Sequence, residues 1–260
     1  MFSFPLLQTS RRRHGSSDDR LGRLGKVLDR LDIEFPRDNP ESVLGSVPPQ
    51  PIPRRSGPVR IQPLELPIPF EGRVAVLEGA FQAESGKKGL QVREFSASDF
   101  SAWTNFAPGI VVAPLDAALW LADQKLRGLA DVKTLDTAII VTTRIDDTPL
   151  AEHHRELLWC AFEVPVFEQL KSWDGTVVAR ECEVHDGLHV VDREAVFHLY
   201  EAELLVTQLA SMSMPVVRTR TGWTGELQAN HCECGKETPR LKNLAHVKPK
   251  VMAAAAGRRY

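Results

Sequence analysis

Two of the four cysteines of this 260-residue chain lie one residue apart, in the segment His231-Cys-Glu-Cys-Gly235. A third, Cys182, belongs to an earlier segment that also carries His185 and His189. Thiolate and imidazole are ligands that zinc prefers, and a structural zinc ion takes four of them in a tetrahedron. Three thiols and one histidine would complete such a site. The first question is which histidine takes part.

Strand geometry selects the histidine. Two β-branched segments flank Asp186-Gly187, a dipeptide typical of a two-residue hairpin turn. Because side chains alternate between the faces of a strand, a turn there places Cys182 and His189 on one face. As diagonal neighbours their Cα atoms would lie roughly 7–8 Å apart, and His185 would point to the other face. The predicted ligand set is Cys182, His189, Cys232 and Cys234.

The alternative interpretation has no metal. Cys182 and His189 would then be core residues, and residues 231–235 an exposed loop. Two exposed thiols without a partner would be open to oxidation, which favours the metal. The fourth cysteine, Cys160, falls on the apolar side of a predicted helix and is interpreted as a core residue.

The first seventy residues have a composition of their own. They are rich in proline between residues 36 and 69, and proline fixes φ and removes backbone donors. Residues 1–70 are therefore predicted to be disordered or a linker. A short amphipathic helix is possible at 19–34, where leucines recur at helical spacing, although Gly22 and Gly25 weaken it.

From residue 71 onward, strand and helix patterns alternate. Residues 72–79, 137–143 and 164–170 are typical of strands, and residues 96–106, 113–129 and 149–162 of helices. After Asp174 the pattern changes to antiparallel pairs. The sequence thus predicts an α/β domain at 71–245, with a layered α/β part and a small antiparallel β subdomain at about 175–245. Residues 246–260 are expected to form a flexible tail.

Three motifs stand in a characteristic order: ARECEVHDGLHVVD, ELLVTQLASMSMPVVRTRTG and HCECGKETPRL. Together they resemble the phenylacetate-CoA ligase branch of the adenylate-forming (AMP-binding, acyl-CoA synthetase) superfamily. The resemblance covers about residues 72–245. It implies a reduced N-terminal adenylation domain without the C-terminal lid domain, and it implies that the four predicted metal ligands form a structural zinc site.

Enzymes of this family activate a carboxylate with ATP and transfer the acyl group to coenzyme A. Residues 84–103 resemble the phosphate loop of the family and the helix after it, and retain Ser85, Gly86 and Gly89. Residues 170–174 resemble the segment that holds adenylate and magnesium, and retain a serine and Asp174. Ser85, Gly86, Gly89 and Asp174 are the predicted remnants of the nucleotide site. Both stretches can also be ordinary turns.

The third motif of the nucleotide site is changed. Trp223 stands where the family has its ribose-binding aspartate, and an indole cannot accept the hydrogen bonds of a ribose diol. No catalytic residue is assigned. The resemblance therefore favours a ligase-like pseudoenzyme with structural zinc and a binding or partner role. The alternative is a residual ATP-dependent acyl- or aryl-CoA ligase that works with a partner and uses ATP and CoA.

Composition excludes several other functions. The net charge is −2 and no basic, aromatic stripe is present, so a nucleic-acid module is not expected. No apolar run approaches the ~18 residues that cross a bilayer, so no membrane association is expected. The cysteine spacing does not indicate a disulfide framework, which favours the cytoplasm. The expected partners are another protein or an aryl or acyl carboxylate.

Overall fold

The computed structural model describes residues 17–37, 39–51, 64–80, 89–96, 98–129, 135–209 and 216–247. One sheet of eleven strands runs through this part of the chain. Its strands are β1 Gly72–Leu77, β2 Leu90–Phe95, β3 Ile110–Pro114, β4 Ala138–Arg144, β5 Val166–Lys171, β6 Val177–Arg180, β7 Leu188–Val190, β8 Ala195–Tyr200, β9 Glu203–Gln208, β10 Thr219–Gln228 and β11 Arg240–His246. The α-helices are α1 Ser17–Arg30, α2 Phe100–Phe106, α3 Leu115–Leu126 and α4 Glu152–Phe162.

The parallel half of the sheet has the strand order β2-β1-β3-β4-β5. Strands β1, β3 and β4 are short, largely apolar runs, as expected for strands that are covered on both faces. Helices α2, α3 and α4 pack on one face through Trp103, Leu121 and Leu158, among others. Helix α2 begins at Asp99, whose carboxylate accepts a hydrogen bond from the Ala102 amide at 3.1 Å.

The opposite face of the parallel half is covered by residues 64–70. Leu64, Leu66, Ile68 and Phe70 alternate along this segment and pack on β1, β3 and β4. The ring of Phe70 lies so close to Gly109 that an added Cβ would approach it to 3.0 Å. Residues 64–70 were predicted to belong to a linker, and here they pack on the sheet, because alternate apolar side chains can bury themselves in an extended, proline-containing segment.

The antiparallel half continues the same sheet in the order β6-β7-β11-β10-β9-β8. Strand β6 pairs directly with β5, so the predicted β subdomain shares its sheet with the α/β part. A second core lies here, with Trp173, Trp223 and Phe197 among its buried residues. Strands β2, β3, β8 and β11 were not predicted from the sequence.

Helix α1 packs against the antiparallel half. Leu24 and Leu28 are fully buried and share a cluster with Val196 and Val217, and Gln50 forms a parallel bridge with Thr219. Helix α1 overlaps the amphipathic helix predicted at 19–34 and packs on the antiparallel half. No helix in the described part of the chain is long and apolar enough to span a membrane.

A buried acid lies at the junction of the two halves. Glu168 on β5 is 4% exposed and accepts a hydrogen bond from the Thr143 hydroxyl at 2.6 Å. Arg155 of α4 lies 3.7 Å from Glu168 and 2.7 Å from Glu181. Burial, assisted by the charge of Glu181, raises the pKa of Glu168 to about 7. The junction therefore changes its charge near neutral pH.

Candidate metal centre and switch-point cleft

Cys182, His189, Cys232 and Cys234 come together in the antiparallel half. The four potential ligand atoms all lie within 4.8 Å of one another. The sulfurs of Cys182 and Cys232 are 3.8 Å apart, and Cys234 Sγ lies 3.4 Å from His189 Nε2. Only Cys234 is more than slightly exposed. The structure thus assembles the four residues selected from the sequence.

The connection that positions Cys182 differs from the predicted turn. Strand β7 pairs with β6 so that Arg180 lies opposite His189, whereas the two-residue turn would have placed Val184 there. The connection therefore comprises residues 181–187. The observed register of β6 and β7 differs from the predicted one by four residues. Because four is an even number, each strand residue still lies on the face predicted for it. Cys182 approaches His189 from this connection and not from a strand.

The other histidine of this segment lies outside the cluster. His185 has a positive φ of 56°, and its ring stacks on Phe167 with centroids 4.4 Å apart. His189 is held differently: its Nδ1 lies 3.0 Å from the Thr238 hydroxyl. That contact leaves Nε2 facing Cys234, which is the arrangement that orients a histidine ligand.

The electrostatics of the cluster favour a neutral imidazole. Burial, followed by the charges of Lys236 and Arg240, lowers the pKa of His189. Burial raises the pKa of the Cys182 thiol to about 11, and the neighbouring thiols add to this effect. Burial also acts on Cys232, but hydrogen bonds from Cys234 and Cys182 and the charge of Arg240 outweigh it, so the pKa of Cys232 is lowered.

The donor set fits zinc. All four cysteines are free thiols, and three thiolates with one imidazole form a usual ligand set of a closed, tetrahedral structural site. The fourth cysteine, Cys160, is exposed on α4, so its interpretation as a core residue was wrong. The helix buries Leu158, Ala161 and Phe162 instead, and Cys160 falls on the other side.

The predicted remnants of the nucleotide site are described only in part. Ser85 and Gly86 lie outside the described residues. Gly89 is described: it has φ 87°, and its carbonyl accepts a hydrogen bond from the Gly72 amide at 2.9 Å. The residues after it form strand β2. Helix α2 begins at Phe100, within the helix predicted at 96–106.

Asp174 lies in a buried turn after β5 and is 6% exposed. One carboxylate oxygen accepts hydrogen bonds from the Ser172 hydroxyl, the Thr176 amide at 3.0 Å and the Gln208 side chain at 3.1 Å. Burial by itself would raise the pKa of Asp174, but these hydrogen bonds lower it overall. The carboxylate is engaged in holding the turn.

Trp223 is part of the core of the antiparallel half. Its side chain is 1% exposed, and its indole N–H donates to the Asp147 carbonyl at 2.9 Å. The hydrogen bond ties β10 to the loop that follows β4. The residue that the resemblance aligns with a ribose-binding aspartate therefore has a packing role.

A cleft of about 470 Å³ opens at the carboxyl ends of the parallel strands. Its walls are residues at the carboxyl ends of β1, β3, β4 and β5 or shortly after them, including Ala80, Leu115, Thr148 and Lys171. The strand order reverses at β1, so the cleft lies at the topological switch point, where open α/β sheets bind their ligands. The sequence analysis missed it. The feature of the sequence that could have indicated this cleft is the set of polar residues that directly follow predicted strands.

The cleft is lined by ionisable groups of both charge signs. Burial lowers the pKa of Lys171 to about 8, and burial, followed by the charge of His153, lowers the pKa of His154. His154 Nδ1 accepts a hydrogen bond from the Ala151 amide at 3.2 Å, so Nε2 is the ring's remaining polar atom. Glu78, Asp116 and Asp147 also line the cleft, as does Arg144.

No protein-family model and no curated protein matches the chain. Crystal structures of 2-hydroxyisobutyryl-CoA ligase are similar to it. The postadenylation state in complex with R3-HIB-AMP has a TM-score of 0.55 at 15% identity, over 66% of this chain and 43% of the ligase chain. An open conformation in complex with 2-HIB-AMP and CoA has a TM-score of 0.53 at 13% identity, over 66% and 44%.

These similarities concern the fold. The predicted α/β fold class is confirmed, since the chain shares the fold of part of an adenylate-forming acyl-CoA ligase. The chain spans less than half the length of those ligases. The phenylacetate-CoA ligase branch, the boundaries at residues 71 and 245, and the cytoplasmic location remain predictions.

Proposed function

We propose that this chain is a phenylacetate-CoA ligase-like protein that keeps the adenylate-forming scaffold and a structural zinc site but not the ligase reaction. Cys182, His189, Cys232 and Cys234 would hold the zinc. The support is the short distances among their ligand atoms and the closed donor set. A four-ligand site leaves no open position for substrate, so zinc would supply folding energy and no chemistry.

The position of Trp223 is the observation that carries the proposed loss of activity. The indole is buried in the core and bonded to the Asp147 carbonyl, so it cannot be moved aside without unfolding the strand. One oxygen of the Asp174 carboxylate is already engaged by Ser172, Thr176 and Gln208. Among the described residues, Trp223 and Asp174 therefore do not fit ATP, and this chain is not proposed to carry out adenylation.

The cleft supports a binding role. A volume of about 470 Å³ falls in the range of small-molecule sites, roughly 300–1,000 Å³. Glu78, Asp116 and Asp147 would repel a polyphosphate such as ATP or coenzyme A. A single carboxylate can pair with Lys171 while its organic part contacts Leu115 and Leu119. We therefore propose an aryl or acyl monocarboxylate as the ligand.

Acid-dependent ATP–pyrophosphate exchange tests the proposed loss of activity. The purified, zinc-loaded chain is expected to give no exchange above background with phenylacetate, benzoate, hexanoate or 2-hydroxyisobutyrate. A clear exchange signal with any of these acids would contradict the pseudoenzyme proposal.

Calorimetric titration with the same acids tests binding. Lys171→Met is expected to weaken any binding about tenfold, because it removes the ammonium group proposed to pair with the ligand carboxylate. The matched control is Lys26→Met, an exposed lysine on α1, which should bind like the wild type. Equal affinities of the wild type and Lys171→Met would remove the proposed carboxylate site.

The second candidate is a residual acyl- or aryl-CoA ligase that a partner protein completes. It is favoured by one observation: the ligases of similar fold are more than twice as long as the region that matches. Such a partner would have to supply the missing nucleotide contacts. The exchange assay repeated in lysate depleted of endogenous ligases would detect it as activity that requires this chain.

A further inference from the structure

Arg240, the first residue of β11, is a buried cation that is 1% exposed. A buried charge is costly unless it is neutralised and hydrogen bonded. The two terminal nitrogens of the Arg240 guanidinium meet this condition by donating to oxygen atoms on two separate loops, while Nε has no partner among the described residues. Both loops carry cysteines of the metal centre.

The first loop is the connection 181–187, which carries Cys182. Arg240 Nη1 donates to the Asp186 carbonyl at 3.2 Å and also to the Asp186 carboxylate. Asp186 comes four residues after Cys182. Lys242 forms a second ion pair with the same carboxylate.

The second loop carries Cys232 and Cys234. Arg240 Nη2 donates to the Asn230 side-chain oxygen at 2.8 Å, to the Asn230 carbonyl at 3.3 Å and to the His231 carbonyl at 3.4 Å. His231 directly precedes Cys232. One side chain therefore fixes the backbone next to the first cysteine of this loop.

The backbone of Arg240 completes the arrangement. In the ladder between β7 and β11, Arg240 lies opposite His189. Arg240 thus contacts or adjoins all three segments that bear ligands. Residues 181–187 and 229–239 belong to no strand, so the sheet ladder does not pair the two cysteine loops with each other, whereas the guanidinium contacts both.

We propose that Arg240 is a positioning residue that clamps the two cysteine loops at the spacing a metal ion requires, and thereby sets the zinc affinity. This inference rests on the zinc site proposed above. The planar guanidinium carries five donors in a fixed fork and can bridge two loops, whereas an ammonium cannot reproduce that geometry. Its positive charge also balances the net negative charge of zinc bound by three thiolates.

Zinc affinity from chelator competition tests the clamp, with Co²⁺ absorption as a second readout of ligand geometry. Arg240→Lys keeps the charge but not the fork, and should raise the zinc Kd about 10–100-fold, as loss of an outer-shell partner does. The thiolate and ligand-field bands of the Co²⁺-loaded Arg240→Lys variant should differ from those of the wild type. Asn230→Ala, in an exposed loop position, should raise the Kd by a smaller factor, about threefold to tenfold.

The matched control is Lys242→Met, which removes a partner of Asp186 but no contact to the second loop. It should bind zinc within about twofold of the wild type. Wild-type affinity and wild-type Co²⁺ spectra in both Arg240→Lys and Asn230→Ala would overturn the clamp while the zinc site stands. A wild-type chain that takes up neither Zn²⁺ nor Co²⁺ would overturn both proposals.

Discussion

The two halves of the sheet differ in how open they are: the parallel half has a cleft, and the antiparallel half is filled with side chains. The parallel half, β1 to β5, ends its strands in an open cleft whose walls carry charges of both signs. The antiparallel half, β6 to β11, fills its centre with packed side chains such as Trp173 and Trp223 and gathers thiols at one place. The comparison teaches that one half can keep a ligand site while the other becomes a support for folding.

Metal removal should separate the two halves most strongly. If zinc holds the antiparallel half, chelation should destabilise the protein by about 4 kcal/mol at free zinc a thousandfold above Kd. The loss of hydrogen-exchange protection should concentrate in β7, β10 and β11 and spare β1, β3 and β4.

Cys232→Ser combined with Cys234→Ser should reproduce the effect of the chelator without any chelator. The control is Cys160→Ser, an exposed position on α4, with an expected change within about 0.5 kcal/mol. Equal hydrogen-exchange protection in both halves after metal loss would contradict the expectation that zinc stabilises the antiparallel half more than the parallel half.

Replacing Trp223 should test whether this residue belongs to the core. Trp223→Ala leaves a cavity in the antiparallel half and should cost about 3 kcal/mol of unfolding free energy. Denaturant melts measure this, with Trp159→Ala as the control because that side chain is 54% exposed. A similar, small cost for both variants would mean that the indole is dispensable for packing.

The junction acid Glu168 should make stability depend on pH. Its pKa is raised from 4.5 to about 7 by burial, so the folded state binds a proton that the unfolded state has already lost. Stability contributed by the protonated form is therefore full below about pH 4.5 and falls as pH rises to 7, by at most about 1.4 kcal/mol per pH unit. Glu168→Gln should flatten this fall in melts between pH 5 and 7.5.

The comparison also shows where prediction from sequence succeeds. Strands β4 and β5 and helices α3 and α4 were predicted because apolar periodicity is local. Strand β3, immediately before α3, was missed because its five residues merge into the helical pattern. The segment at 64–70 was taken for a linker because proline content outweighed the alternation of its apolar residues.

The metal centre shows the same division. The residue types, and the parity that separates His189 from His185, could be read from the sequence. The register could not: Asp186-Gly187 looks like a tight turn, yet Asp186 is drawn to Arg240 and Lys242 and the connection widens. An interaction over more than fifty residues outweighed a local turn preference.

By itself, the sequence determined the α/β class, the order of most of its elements and the four residues that can bind a metal, since periodicity and ligand chemistry are properties of short segments. The tertiary structure alone decided that Trp223 is a core residue, that Lys171 faces a cleft and that Arg240 joins the cysteine loops. Each of these depends on which strands become neighbours, and neighbours distant in the chain are chosen by the packing of the whole sheet.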